Sequence, residues 1–556
     1  MSPGTLTVNA GTYAFTGNGN ISGAGTVLVA SNTASLTMNI VNRYGGGTVI
    51  QSNATVNLQY ATSLGSGPVM LDGGTLHITA GSKSLTFTNN IQVLTDSTIS
   101  GVSGSTPSLS CVFTGTAGSL TFNGDSASSF FSPNLYVNFA FNLPININNT
   151  VIVLMADNTG QQVFNGPFSG NGSIQRRATG TAIFNAPSIY SGNTLLSSGG
   201  LGFGCSTIST SAPLPTIDAG PIGVGTLMLD DTGTAANQWV FAAAGARLVG
   251  NPIQTSTLTN NFTLVFAGTN NLELAGAINM GTGVLTVQAT NAAVSTLSGG
   301  ISQGSGLTKT GGGVVVLRGD DAYTGPTLVS AGRLEVDGQI DDSSDPVTVT
   351  GATLCGSGTI QGPVIIQTGA TLSPGSAGLG VLTINNNLTL NGNLLFAVDK
   401  TQTQSNGLVN VSGVLTNIGT GTVIVTNVGP ALAVGDSFTI FSQSVSNGAA
   451  LAVTGGGMNW TNKLAVDGSI QALSVISTIA NYSTNISFTV NGSTLTVKWP
   501  ATHLGWILES QTNALNSGLT APSNTWHAIS GSAAVTQTNM GINPANPTVF
   551  FRLRHP

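Results

Sequence analysis

Charge is what this sequence has least of. Of 556 residues, 13 are Lys or Arg and 19 are Asp or Glu, together 6%, against roughly 25% in ordinary soluble domains. With a formal net charge of −6 spread this thinly, the chain cannot build the basic face that phosphate-backbone binding or docking on anionic lipid requires, so nucleic acid is not an expected partner. Cysteine is nearly as scarce. Cys111, Cys205 and Cys355 lie far apart with no CxxC spacing, which excludes a cysteine metal motif and leaves two readings: small buried apolar residues, or a disulfide between two of them. Long apolar runs are missing too. The longest, "VIVLMA" at 151–156, falls well short of the ~20 residues of a membrane helix, so no membrane span is expected. The opening "MSPGTLTVNAGTYAF" has neither the charged nor the apolar region of a signal peptide. It echoes "SPGSAGLGVLTINNNLTL" at 373–390, so the chain reads as a fragment, or as a mature chain with a new initiator Met.

Glycine (75 residues), Thr, Ser and Asn fill the space that charge leaves, and they are ordered. The stretch "GSGLTKTGGGVVVLRGDDAYTGPTLVSAGRLEVDG" (304–338) has a degraded copy 133 positions earlier (323 − 190), "GNGSIQRRATGTAIFNAPSIYSGNTLLSSGGLGFG" (170–204). Tyr190, Gly192, Thr194, Gly199 and Leu201 match Tyr323, Gly325, Thr327, Gly332 and Leu334, and Arg176 and Lys309 each lie 14 positions before the tyrosine. A fainter copy holds Tyr44, Gly46 and Thr48 at the same offsets. Such recurrence is the signature of a repeat architecture, in which each unit packs on its neighbours.

The local pattern is strand throughout. Runs such as "GTLTVNAG", "FTLVFAG" and "GVLTVQAT" alternate apolar and polar residues and close on Gly or Asn-Gly, while sustained helical periodicity is absent. Antiparallel sandwiches and a parallel solenoid both fit this text. Repetition and low charge favour the solenoid, because equivalent residues of stacked coils lie about 4.8 Å apart, where like charges repel but Asn and Thr form hydrogen-bonded ladders. At roughly 20 to 25 residues per coil, residues 1–475 would make on the order of 20 coils. The text changes near Thr478: four of the five tryptophans, Trp460, Trp499, Trp506 and Trp526, lie in the last hundred residues. The predicted organisation is a β-solenoid over 1–477 and a small antiparallel β domain over 478–556, with a hairpin at Asn491-Gly492.

Candidate sites are few. Asp320, Asp321, Glu335, Asp337, Asp341, Asp342 and Asp345 gather seven of the 19 acids into one short stretch. They read either as a hard-cation site or acidic pair, or as a solvated loop; no EF-hand order is present. Tyr190 and Tyr323 read as corner or core residues rather than sugar platforms. His77, His503, His527 and His555 show no ligand spacing, and Trp499, Trp506 and Trp526 read as core. No catalytic, cofactor or metal site is assigned.

On these residues the chain resembles the repeat of bacterial autotransporter-associated β-strand proteins, a glycine-spaced K-x-G-x-G-x-L-x-L frame followed by Y-T-G-x-T-x-V-x-x-G-x-L, here Gly306, Lys309, Gly311, Gly313, Leu317, Tyr323 to Gly325, Thr327, Val329, Gly332 and Leu334. The resemblance implies a right-handed parallel β-helix exported to the bacterial cell surface as passenger, adhesin or stalk. Residues 478–556 are too few for a membrane barrel. They are similar instead to a short terminal module of repeat-rich exported proteins, which implies capping, anchoring or sorting. The expected function is a non-enzymatic extracellular rod that self-associates, head to tail or laterally, into a fibre or adhesive stalk. The alternatives are an adhesin for neutral glycans and a polysaccharide lyase or hydrolase.

Overall fold

The computed structural model describes residues 4–555 apart from 31–32, 81–84, 116, 126–130, 137–138, 157–159, 211–215, 231–237, 476–482, 515 and 520–524. Two compact units are present, one of residues 1–456 and 460–473, the other of 457–459 and 474–556. The predicted boundary near Thr478 lies outside the described residues.

The first unit is a parallel β-solenoid. Each coil supplies one strand to each of its sheets. Leu307–Thr310, Val314–Leu317 and Asp320–Asp321 are followed one coil later by Thr327–Val329, Arg333–Val336 and Gln339–Ile340, each paired in parallel with its predecessor. The longest sheet stacks 13 strands, from Phe139–Phe141 to Leu415–Asn417. Alternation decides which side chains face inward: Val249, Leu274, Leu297, Leu317 and Val336 pair in sequence and form one fully buried column. Burying each such side chain stabilises by about 1.5–3 kcal/mol, and the column repeats that gain at every coil.

Charge is arranged as stacking requires. Among the described residues, no parallel pair sets a charged side chain on another: Glu273 lies between Leu248 and Thr296, Lys309 between Val287 and Val329, Glu335 between Val316 and Cys355. Asparagines do ladder. Asn185 donates to Asn165 at 2.6 Å, and Asn165 to Asn142 at 2.7 Å. Inside, Phe164 and Phe184 stack with centroids 5.3 Å apart.

Coil length is less regular than a uniform repeat predicts. Val347 pairs with Val364 across a short coil, whereas Thr194 pairs with Leu227 across one nearly twice as long. Within the long coil Ile208 and Ala219 form an antiparallel bridge, while Thr207 N donates to Leu248 O on a later coil and Gly220 bridges back to Ser188 on an earlier one. Parallel pairing ends at Ala452–Gly455. Before that end, Ser437–Thr439 already pairs antiparallel with Ser469–Val475 in a separate three-stranded sheet.

The second unit holds two three-stranded antiparallel sheets, Ser487–Asn491, Thr494–Lys498 and Gln537–Gly541, and His527–Ala528, Ile507–Thr512 and Val549–Arg554. The Asn491-Gly492 hairpin is present, with Asn491 facing Thr494 and Gly492 at φ +58°. Its core is Val497, Trp499 and Leu508, flanked by Met540, Phe551 and Leu553.

Candidate functional site

The recurring residues build a corner. Tyr44, Tyr190 and Tyr323 are each at most 2% exposed, and each hydroxyl is hydrogen-bonded to the threonine hydroxyl four residues on: Tyr44 to Thr48 at 2.6 Å, Tyr323 to Thr327 at 2.5 Å, and Tyr190 likewise to Thr194. Burial pushes the Tyr44 phenol up to about 12, with the Thr48 bond opposing, and shifts Tyr190 and Tyr323 in the same direction. Two residues before each tyrosine, a polar side chain accepts the backbone N–H of a residue one coil earlier. Asn42 takes Ile21 N at 2.8 Å, Ser188 takes Phe168 N at 3.0 Å, and Asp321 takes Ile301 N at 2.9 Å. The tyrosines therefore brace the corner from within and offer no face to a ligand, while the residues two before them tie one coil to the next.

The recurrent cation has a role that sequence reading left open. Arg176 and Lys309 are both fully buried. Lys309 Nζ donates to the backbone carbonyls of Thr310 (2.9 Å), Gly311 (2.7 Å) and Ala331 (3.0 Å), which uses all three of its N–H groups. Arg176 donates to Leu154 O (2.8 Å) and Ala156 O (3.0 Å). Each cation gathers backbone carbonyls at the end of a strand, and in the earlier copy Leu154 O and Ala156 O also accept the N–H groups of Arg177 and Gly180. Burial lowers the Lys309 ammonium to about 8.

The seven acids do not converge. Asp320 is exposed, whereas the neighbouring Asp321 is buried. Asp342 accepts Gly325 N (2.7 Å) and Ser344 N (2.8 Å), and burial, which would raise its carboxyl, is outweighed by these bonds, so it lies below its ordinary value. Asp345 bonds back to Asp342 through its own N–H. Asp341 takes an amide hydrogen from Gln339. Asp337 pairs loosely with Arg318 at 4.0 Å, and Glu335 pairs with Arg333 at 2.9 Å. Among the described residues, no three His, Cys, Asp or Glu side chains are placed to hold a metal ion. Cys111, Cys205 and Cys355 are all free thiols. Burial pushes the Cys355 thiol up to about 12, while Arg333, which donates to its sulfur at 2.8 Å, opposes the shift.

The histidines are scattered. His77 bonds Ser100 at 2.8 Å on the solenoid; His503 is buried in the second unit with its ring 4.9 Å from Trp506; His555 meets the edge of Trp506 at 5.2 Å, and His527 is exposed. Trp499 and Trp506 are buried, whereas Trp526 lies partly exposed beneath Arg552 at 4.3 Å. Sequence reading overlooked Trp239, whose indole covers Gly200 on the outer face of the 13-stranded sheet. A glycine one coil below a large aromatic was the available signal.

Glu509 anchors the second unit's edge. Its carboxylate accepts Arg554 Nε at 2.6 Å and Arg552 Nε at 2.8 Å. Burial would raise its pKa, but the two arginines win and hold it low. A depressed pKa contributes stability that is present above the unfolded value of 4.5 and lost as pH falls. Both arginines are more than a third exposed, so Glu509→Gln should cost about 1–2 kcal/mol at pH 7 and nearly nothing at pH 3. Urea unfolding followed by tryptophan fluorescence measures this.

Residues 307–336 match the passenger-associated-transport-repeat family. The "Adhesin BmaC autotransporter" of Brucella suis biovar 1 (strain 1330) is 35% identical over 112 residues, which is 19% of this chain; the chain spans 3% of the length of that relative. The crystal structure of the Haemophilus influenzae Hap adhesin aligns with 82% of this chain and 64% of its own at 12% identity and a TM-score of 0.28. The matched segment carries the buried Lys309, the Tyr323–Thr327 corner and the glycine of the following bend, Gly332. The chain therefore carries the passenger-associated transport repeat of autotransporter passengers, the family that its sequence resembles.

Proposed function

We propose that this chain is an extracellular, adhesin-like passenger segment: a non-enzymatic solenoid that holds a weakly charged side surface away from a bacterial cell. One observation carries the reading. In the repeat the recurring polar residues bond to the coil itself, Lys309 to three carbonyls and Tyr323 to Thr327, which is an investment in stacking rather than in chemistry. The adhesin named among its relatives agrees with this use. Display of the chain on a non-adherent bacterium should increase attachment to a glycan-coated surface severalfold. Attachment equal to that of undecorated cells would remove the adhesive part of the reading.

A fibre is the finer part of the proposal. Neutral Thr, Ser and Asn columns permit lateral or head-to-tail packing, a contact that does not close on itself. Negative-stain images at rising protein concentration should show lengthening filaments. Short single particles at every concentration would leave an adhesive passenger without a fibre.

A further inference from the structure

The chain has only 13 Lys and Arg residues, and two of its arginines meet in one cleft on the side of the solenoid. The cleft holds about 440 Å³, within the range of roughly 300–1,000 Å³ typical of small-ligand sites. Its polar lining comes from four successive coils and the loop beside them: Arg247, Asn271, Glu273, Thr296 and Arg318, with Ser206. The partly exposed side chains of Leu248 and Val294 supply its apolar base.

The groups are only partly committed to the protein. Arg247 donates Nη1 to Ala246 O at 2.9 Å, while its Nε is buried with no hydrogen-bond partner. A buried guanidinium N–H without an acceptor is costly unless something supplies one. Arg318 is half-exposed, and its ion pair with Asp337, at 4.0 Å, is long and screened. Glu273 accepts the Ser298 hydroxyl through one oxygen at 2.6 Å. Asn271 accepts Val294 N at 2.9 Å through its carbonyl oxygen, and its amide N–H groups have no partner among the described residues.

We propose that this cleft binds a saccharide bearing a carboxylate. Two guanidiniums and one carboxylate line the cleft, and Asp337 faces Arg318 from beside it at 4.0 Å. Guanidinium presents paired N–H groups that match a carboxylate in two parallel bonds, and those of the half-exposed Arg318 are open to solvent. Glu273 and Asn271 supply the acceptor and donor that ring hydroxyls require. The apolar base receives the C–H face of the sugar. A neutral glycan would form no ion pair with either guanidinium, so charge at the sugar is the discriminating feature. Uronate polymers and terminal sialic acids both carry that chemistry.

The ligand class deepens the adhesive reading and rests on it for its biological use, but binding is tested on the purified full chain alone. Titration calorimetry with tetragalacturonate and with sialyllactose should show saturable binding of at least one, and the tighter of the two identifies the source. Methyl esterification of the bound sugar should weaken it at least tenfold. Arg318→Gln, a change at an exposed side chain, should weaken it about tenfold with an unchanged unfolding midpoint, and Arg247→Lys, which keeps the charge but loses the fork, about fivefold. Absence of saturable binding by both probes would overturn the proposal, as would equal affinity for ester and acid, or binding indifferent to both variants. Cell attachment that survives Arg318→Gln would leave the adhesive reading standing without this site. Binding without attachment would do the reverse.

Discussion

Gly332→Ala should unfold the coils around the repeat, with a loss of about 3–5 kcal/mol in local stability. Gly332 sits at φ +68°, where an L side chain is strained, and a Cβ there would lie 2.5 Å from the carbonyl oxygens of both Gly311 and Gly313 on the coil below. Those atoms belong to backbone and cannot swing away. Gly199, its counterpart in the earlier copy, is at φ +77° and faces the carbonyls of Ala178 and Gly180 in the same manner. In both copies the obstructing carbonyls stand at the same two offsets back along the chain, so the requirement belongs to the repeat. Hydrogen exchange is the suitable readout, because stacked coils open locally. Amides of Val314–Leu317 and Arg333–Val336 should exchange orders of magnitude faster in the variant, while the Ser487–Asn491 hairpin of the second unit stays unchanged. Uniform protection in both strands would refute the corner geometry.

The second large effect has the opposite sign. Asp321→Asn should stabilise the protein at pH 8. Asp321 is fully buried; one oxygen accepts Ile301 N, and Oδ2 has no partner. Burial lifts its carboxyl from 3.8 to about 7, the Ile301 bond opposing and the nearby Asp320 and Asp341 adding to the rise. A raised pKa means that the native state holds the proton more tightly than the unfolded chain. Stability from this group is therefore fully present below pH 3.8 and is lost as pH rises to about 7. At pH 8 a neutral isostere escapes that loss, which amounts to about 2–4 kcal/mol. Asn42, at the matching position of the first copy, shows how the amide fits: its oxygen accepts Ile21 N and its nitrogen donates to Ser63 O at 2.7 Å. Urea unfolding of the solenoid at pH 8 and pH 4.5 tests this. The advantage of the variant should shrink to about 1 kcal/mol or less at pH 4.5. A variant less stable at pH 8 would show that the carboxylate is held by a partner.

Much of the architecture was written in the sequence, for reasons visible in single residues. Alternation in "GVLTVQAT" reports which side of a strand is buried, and Leu285, Val287 and Ala289 are indeed the inward set. Scarce charge reports stacking, because the column Leu248, Glu273, Thr296, Val316, Glu335 keeps its two carboxylates three coils apart. Coil length was not legible. The stretch between Leu196 and Leu227 reads as continuous strand and turn text, and only its pairing shows that Thr194 and Leu227 are neighbours one coil apart. The cleft was equally hidden, since Arg247, Glu273 and Arg318 are brought together by coils whose lengths the sequence does not announce. The acidic stretch could be read as a site or as a solvated loop because its members are near in sequence. Their chain positions put Asp321 inside, Asp342 on backbone N–H groups and Asp320 in solvent.

In-register parallel stacking is the claim on which the corner, the columns and the cleft all depend, and distances between spin labels test it directly. Thr286, Thr308, Leu328, Thr348, Ile365, Thr389 and Thr416 pair in succession along one column. With the three native cysteines replaced, nitroxides at Thr286 and Ile365 should lie four coils apart, about 19 Å, and those at Thr286 and Thr416 six coils apart, about 29 Å. Distances that rise by about 4.8 Å per coil, whatever the number of intervening residues, are the predicted result. Distances that follow sequence separation instead, or that fail to increase from the first pair to the second, would contradict the stacked coil.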